Sequence, residues 1–179
     1  DKYISHSIDQ YRSLLLKNTL LFNLLKNNSK LKILHITNFN ERHNGRLFYN
    51  TGRRINNGFI RLNHSVLELS DRDIVSYSRK ITDLKGSQKL NTKLIDTVSN
   101  YVPDLIVFGH ADLVDNKSIE FIKINYPDTK MCQWFLDRMD SEWTSNRDRF
   151  TKKMHLMDAN FCTTEPKSLN FENNYPIFY

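Results

Sequence analysis

The chain has 179 residues, a length right for one domain or for half of a two-domain enzyme. With 39% hydrophobic residues, a mean hydropathy of -0.57, five Gly, four Pro and no apolar run near the roughly 18 residues that cross a bilayer, the composition excludes collagen-like, Pro-rich disordered and membrane-spanning classes. A net charge of +6 and a pI near 9.3 admit anionic partners (nucleotide phosphates, an anionic lipid surface, nucleic acid), although a genome biased toward Asn, Lys and Ile codons gives the same balance.

Residues 3–27 predict a helix, with Ile4, Ile8, Tyr11 and Leu15 on one face and a stripe that widens through Leu20, Leu21, Phe22, Leu24 and Leu25. So wide an apolar surface implies packing on the domain and on a further neighbour, either a second helix or a dimer or membrane surface. Asp1-Lys2-Tyr3-Ile4 does not open a charged-then-apolar leader, so no signal peptide is expected.

The organising stretch is 31–63. Leu31 to Thr37 is a short apolar run bounded by Asn38-Phe39-Asn40, which predicts a buried strand. A polar loop with Arg42, His43, Asn44, Gly45 and Arg46 follows, and Ile55, Phe59 and Leu62 then recur at helical spacing. Residues 64–70 predict a second strand; 71–87 read as a loop with room for one short helix. Leu90, Leu94, Val98 and Tyr101 mark a helix over 88–101, broken by Pro103. Residues 104–108 form the clearest buried strand, stopping at Gly109-His110-Ala111-Asp112. A helix through about 125 has Asp115 as candidate N-cap. A strand over 130–136 ends at Asp137, 138–146 read as loop, and Phe150, Met154 and Met157 mark a helix. Residues 160–163 form a short strand, and Pro166 opens a further helix.

Alternation of this kind predicts an α/β fold, a Rossmann-like parallel sheet with helices on both faces, preceded by an added N-terminal helix. The expected layout is an extension over 1–30, a Rossmann-like domain over 31–170, and the start of a crossover over 171–179. In such sheets ligands sit outside the carboxyl ends of the strands, which here collect Thr37-Asn38, Ser70-Asp71, Gly109-His110, Asp137 and Thr163-Thr164-Glu165.

Several chemistries are absent from the residues: no G-x-G-x-x-G follows the first strand, and there is no P-loop and no G-x-S-x-G elbow. Cys132 and Cys162 fall in apolar segments, where buried reduced thiols are expected, and their spacing does not suggest zinc. Asp137, Asp140 and Glu142 admit a cation or, alternatively, solvated or arginine-paired carboxylates; no metal is expected. His110 reads either as a proton acceptor beside a ligand that Gly109 lets approach, or as a hydrogen-bonded histidine of the sheet rim. Arg42, Arg46, Arg53 and Arg54 read as a phosphate clamp or as a solvated basic face. Trp134 and Phe135 are expected in the core, and Trp143 against a sugar ring or over the cleft.

The segments LKILHITNF, GRRINNGFIRLNHSVLELSDRDI, PDLIVFGHAD, QWFLDRMD and DANFCTTEPKSL together resemble the amino-terminal domain of GT-B glycosyltransferases, within these the spore-maturation CgeB-like group related to family 4 enzymes. The resemblance covers roughly 31–170. It implies a Rossmann-like half that binds the acceptor, while a second half, beyond these residues, binds a nucleotide-diphospho-sugar as co-substrate, with no further cofactor and no metal. The Gly-Gly pair common after the first strand of family 4 members is replaced by Asn44-Gly45.

On that resemblance His110 and Asp137 are the candidate catalytic residues. Asn38, Arg42, Asn44, Gly45, Arg46, Gly109, Thr164 and Glu165 are the candidate substrate-binding residues. The implied function is sugar transfer in bacterial surface polysaccharide (capsule or lipopolysaccharide) or other glycoconjugate synthesis. The implied partner is a sugar or glycolipid acceptor, in the cytoplasm and open to peripheral contact with the inner face of the membrane. The alternative is a non-catalytic α/β ligand-binding or regulatory module. Specific nucleic-acid binding is not expected, because the aromatics lie mostly outside the basic loop.

Overall fold

The computed structural model describes residues 30–79, 83–84, 86–165, 169 and 175–178. The helices expected over 3–27 and after Thr164 therefore lie outside the described residues. Elements in chain order are β1 (Lys32–Thr37), a 3-10 turn (Glu41–His43), α1 (Thr51–Arg61), β2 (Ser65–Ser70), α2 (Asp71–Ser78), α3 (Ser87–Tyr101), β3 (Leu105–Gly109), α4 (Asn116–Asn125), β4 (Lys130–Phe135), α5 (Thr144–Met154), β5 (Ala159–Cys162) and β6 (Ile177–Phe178).

The strands form one six-stranded sheet in the order β2-β1-β3-β4-β5-β6, every pair parallel. Side chains alternate across it, as the two-residue period of a strand requires. Ile33 faces one layer, where Ile55 and Phe59 of α1 pack with Leu31, Val107 and Trp134. Leu34 and Ile36 face the other, where Leu90, Leu94 and Val98 of α3 and Ile119 and Ile122 of α4 close over Ile106, Phe108 and Met131. Phe150 and Met154 of α5 pack on Phe135, Cys162 and Ile177. Each such fully buried aliphatic or aromatic side chain contributes about 1.5–3 kcal/mol of transfer free energy. The helices thus cover both faces, as the alternation of elements predicts.

Three segments differ from the sequence reading. Residues 71–78 form a full helix, α2. Asp71 and Asp73 are buried there, so the polar look of the segment does not report solvent exposure. α5 begins at Thr144, inside the stretch read as loop. β6 falls in the segment assigned to a crossover, yet it joins the same sheet: Asn160 donates its N–H to Pro176 O at 2.9 Å, and its side-chain amide reaches Pro176 O and Met154 O. Asp115 does occupy the N-cap of α4. Its carboxylate, however, accepts from Asn91 Nδ2 at 3.1 Å instead of capping the helix.

The sheet's order reverses at β1. α1 leads out of β1 to β2 on one side, and β3 lies on the other, with Thr37 in register with Gly109. A crevice outside the carboxyl ends of β1 and β3 follows from that switch. Gly52, in the first turn of α1, lets the helix start directly against β1: a Cβ there would lie 2.7 Å from Thr37 Cγ2.

Candidate functional site

The crevice is a cleft of about 440 Å³ lined by Thr37, Asn38, Asn40, Asn50, Thr51, Gly52, Arg72, His110, Trp134, Leu136, Asp137 and Arg149. Its wall at β1 is made of amides that hold one another. Asn38 Oδ1 accepts from Asn40 N–H and Arg42 Nη1, Asn38 Nδ2 donates to Asn40 Oδ1 at 3.0 Å, and Asn50 Nδ2 donates to Asn38 O at 2.9 Å. Asn50 also caps α1, accepting Arg53 N–H at 2.8 Å. The Thr51 and Gly52 amides, at the free end of that helix, have no partner among the described residues.

The opposite wall carries charge. Asp112 Oδ2 accepts from Arg149 Nη2 at 2.6 Å and from Arg72 Nη2 at 3.3 Å, so one carboxylate from the loop after β3 gathers arginines from α2 and α5 at the mouth. Arg149 Nη1 also lies 3.7 Å from Asp137 Oδ2. These pairs are partly exposed, so their value lies in fixing geometry more than in stability.

His110 has φ +49, a left-handed conformation that turns the chain sharply out of β3 and brings the ring back over the end of β4. Its Nε2 accepts Leu136 N–H at 3.0 Å. The neutral ring therefore carries its proton on Nδ1, which lies 3.5 Å from Asp137 Oδ2. The ring stacks on Phe135 at 4.2 Å between centroids and meets Trp134 edge-on at 5.2 Å. Burial pushes the His110 pKa below its ordinary value against the pull of Asp137 and Asp112, and Arg149 and Arg72 lower it further. A neutral imidazole with both nitrogens engaged is a positioning group for Asp137, not a free base. Asp137 is half exposed, its side chain at 50%, and presents its carboxylate to the cleft.

The floor is Trp134. Its Nε1–H donates to His35 Nε2 at 3.3 Å, while His35 Nδ1 lies 3.2 Å from Asn56 Oδ1 and Asn56 Nδ2 donates to Glu68 Oε1 at 2.6 Å. Burial drives the His35 pKa down to about 4, so the ring is neutral and its tautomer is set by these bonds. Gly109 makes room for this ring: a Cβ there would lie 2.1 Å from Trp134 Cζ2. The glycine thus serves the indole, and it is absent from the cleft lining.

Of the residues singled out from the sequence, Asn38, His110 and Asp137 meet in the cleft. Arg42 does not line it; its Nη1 pairs with Asp73 Oδ1 at 2.6 Å. Burial opposes ionisation of Asp73, but hydrogen bonds from Ser70, the Glu41 and Arg42 amides and the Arg42 guanidinium hold its pKa below the ordinary value. Asn44 (φ +50), Gly45 (φ +85) and Arg46 turn outward into an exposed loop away from the lining. Arg53 is neither clamp nor solvated: it pairs with Glu68 and lies between the rings of Phe39 and Phe48, at 4.5 and 5.1 Å. Thr164 accepts Met139 N–H at 3.2 Å, and neither it nor exposed Glu165 lines the cleft. Trp143 is exposed before α5 and also lies outside the lining. Arg138 bridges Asp140 and Glu142, the arginine-paired alternative for that loop. Among the described residues no group of three or more His, Cys, Asp or Glu is placed to hold a metal. Burial pushes the Cys132 and Cys162 thiols up to about 12 and about 11, which makes them poor nucleophiles.

Sequence reasoning missed Thr37, Arg72, Arg149 and Trp134. The first two flank strand ends already read as cleft-facing, so position alone could have found them; Arg149 projects from a helix and Trp134 from a strand interior. Comparison of the chain with protein-family models, with curated proteins and with solved structures returned no match.

Proposed function

We propose that the chain is the acceptor-side domain of a nucleotide-sugar-dependent glycosyltransferase of the GT-B kind, with Asp137 as the base. The observation that carries this reading is the Asp137 carboxylate, open to the cleft and held from behind by His110 Nδ1 and Arg149. Around it stand the side-chain amides of Asn38, Asn40 and Asn50, the hydroxyls of Thr37 and Thr51, and the Trp134 indole. Paired amide and hydroxyl groups beside an aromatic surface suit a ligand with many hydroxyls and apolar ring faces.

In this reading an acceptor hydroxyl hydrogen-bonds to Asp137. Its oxygen forms the new bond to the anomeric carbon of the donor as the proton passes to the Asp137 carboxylate. The bond from that carbon to the nucleoside diphosphate breaks, and the leaving group keeps the electron pair. His110 and Arg149 hold the carboxylate in place, so their contribution is orientation. The donor is held by a partner half outside these residues, and the acceptor is a sugar or glycolipid of surface polysaccharide or another glycoconjugate, reached from the cytoplasmic side of a membrane. Among the described residues no helix is long and apolar enough to cross a membrane, so contact with a lipid-linked acceptor is peripheral in this reading.

A second reading, a non-catalytic ligand-binding or regulatory module, is favoured by one observation: both His110 nitrogens are engaged within the protein. The two readings separate in a transfer assay on the full-length product that carries this chain, with UDP-, GDP- and TDP-sugars. The enzyme reading expects transfer that Asp137→Asn reduces at least 100-fold while acceptor binding persists. Transfer unaffected by Asp137→Asn, or no turnover with any donor, contradicts it.

A further inference from the structure

The loop rejected by the cleft has a surface of its own. Asn44 and Gly45, both left-handed, turn the chain outward. Leu47, Phe48 and Tyr49 then follow in sequence with 42%, 44% and 77% of their surface exposed. Phe48 and Tyr49 meet edge to face at 5.1 Å, and the Arg53 guanidinium lies over Phe48, so the rings are held as a knob. Three consecutive exposed apolar side chains on a polar protein are unusual enough to need an occupant.

Charge identifies it. Between residues 41 and 61 five arginines (Arg42, Arg46, Arg53, Arg54, Arg61) stand against the single acid Glu41, so this stretch holds four of the chain's net +6 charges. Arg42 and Arg53 are paired internally with Asp73 and Glu68; exposed Arg46 and Arg54, on either side of the apolar knob, have no ion-pair partner among the described residues. A convex apolar tip of Leu, Phe and Tyr with free guanidiniums beside it is complementary to a surface whose outer layer is anionic and whose interior is hydrocarbon. A folded protein partner would instead have to supply a concave apolar socket ringed by acids.

We propose that the 46–49 loop, with Arg46 and Arg54, docks the domain on an anionic lipid surface, with the tip entering the headgroup layer. The loop leads directly into Asn50 and Thr51 of the cleft wall, so docking sets the cleft beside the bilayer. The docking stands independently of the cleft's chemistry; its purpose, presenting a lipid-linked acceptor, rests on the reading above.

The test is sedimentation of the chain with vesicles of phosphatidylcholine, with and without phosphatidylglycerol, in the absence of any donor or acceptor. Binding is expected only with phosphatidylglycerol and is expected to weaken with salt. Arg46→Gln/Arg54→Gln should lower the partition coefficient about 5-fold per arginine. Leu47→Ser/Phe48→Ser/Tyr49→Ser should lower it at least 10-fold with an unchanged circular dichroism spectrum, and Asp137→Asn should bind like the parent. Failure of the parent to bind, displacement by inorganic phosphate, or binding that survives the serine replacements overturns the proposal. Because no sugar enters the assay, its failure leaves the glycosyltransferase reading untouched, and the reverse holds.

Discussion

Replacing Asp71 by Asn should stabilise the domain, and more so as the pH rises. Asp71 begins α2 with its side chain fully buried, and neither carboxylate oxygen has a partner of hydrogen-bonding geometry. Burial raises its pKa from 3.8 to about 7; attraction to the Arg72 amide and guanidinium opposes the shift, and Asp112 and Asp73 add to it. Lys153, buried on α5, is the other charged group near it. Because the folded pKa lies above the unfolded one, the folded state binds the extra proton between pH 3.8 and about 7, and stability falls as the pH rises through that window. The whole gap corresponds to about 4 kcal/mol, an upper bound because the surroundings relax around a charge. Asn keeps the shape and cannot ionise, so the slope should vanish. Its buried amide carries its own cost of about 1–3 kcal/mol, but that offset does not change with pH. Urea unfolding of both proteins at about pH 4.5 and about pH 8 should show the difference in stability shifting by about 2–3 kcal/mol in favour of Asp71→Asn at the higher value. A difference independent of pH, or one that shifts against the variant, would refute the reasoning.

Three other outcomes follow from the cleft. His35 should remain in its Nδ1–H tautomer down to about pH 4, seen in long-range nitrogen–proton spectra; a folded pKa below the unfolded one means its stabilising neutral state is lost as pH falls from 6.5 toward about 4, and a ring titrating near 6.5 would contradict the burial argument. Gly109→Ala should push the Trp134 ring out of place, destabilise the domain by about 1–3 kcal/mol and alter the near-ultraviolet dichroism, whereas an unchanged indole signal would show that the ring is not packed on Gly109. Arg149→Ala should cost less than about 1 kcal/mol of stability, because its ion pairs are partly exposed, yet weaken ligand binding in the cleft by about 10-fold or more by releasing Asp137; calorimetry and chemical denaturation separate the two.

The fold was legible where burial on both faces writes itself as an unbroken apolar run. β1, β3 and β4 are of this kind, and α3 announces itself by Leu90, Leu94 and Val98 and by Pro103 beyond its end. α2 was not legible: Asp71 and Asp73 read as solvent-facing, and Asp73 is buried only because Ser70, Glu41 and Arg42 come to it from distant segments. β6 depends on Asn160 reaching Pro176, a long-range bond without a local signal. In the site, strand ends placed Asn38, His110 and Asp137 correctly by topology alone. Arginine content did not show which guanidiniums would face the cleft. Arg42 and Arg53 have acids within reach and are consumed by them, while Arg72 and Arg149 are brought together by Asp112, a pairing that exists only after α2, α5 and the loop after β3 have packed.

The central claim is that the cleft between β1 and β3 takes a hydroxyl-rich acceptor at Asp137. Its most direct test is a nitrogen–proton NMR titration of the chain with a panel of neutral and acidic oligosaccharides, and separately with UDP-, GDP- and TDP-sugars. The account predicts that an oligosaccharide shifts the backbone signals of Asn38, His110 and Asp137 and the Trp134 indole, that Asp137→Asn retains those shifts, and that nucleotide sugars alone leave them in place. Shifts produced by nucleotide sugars and by no oligosaccharide would contradict it and place the donor, not the acceptor, in this half.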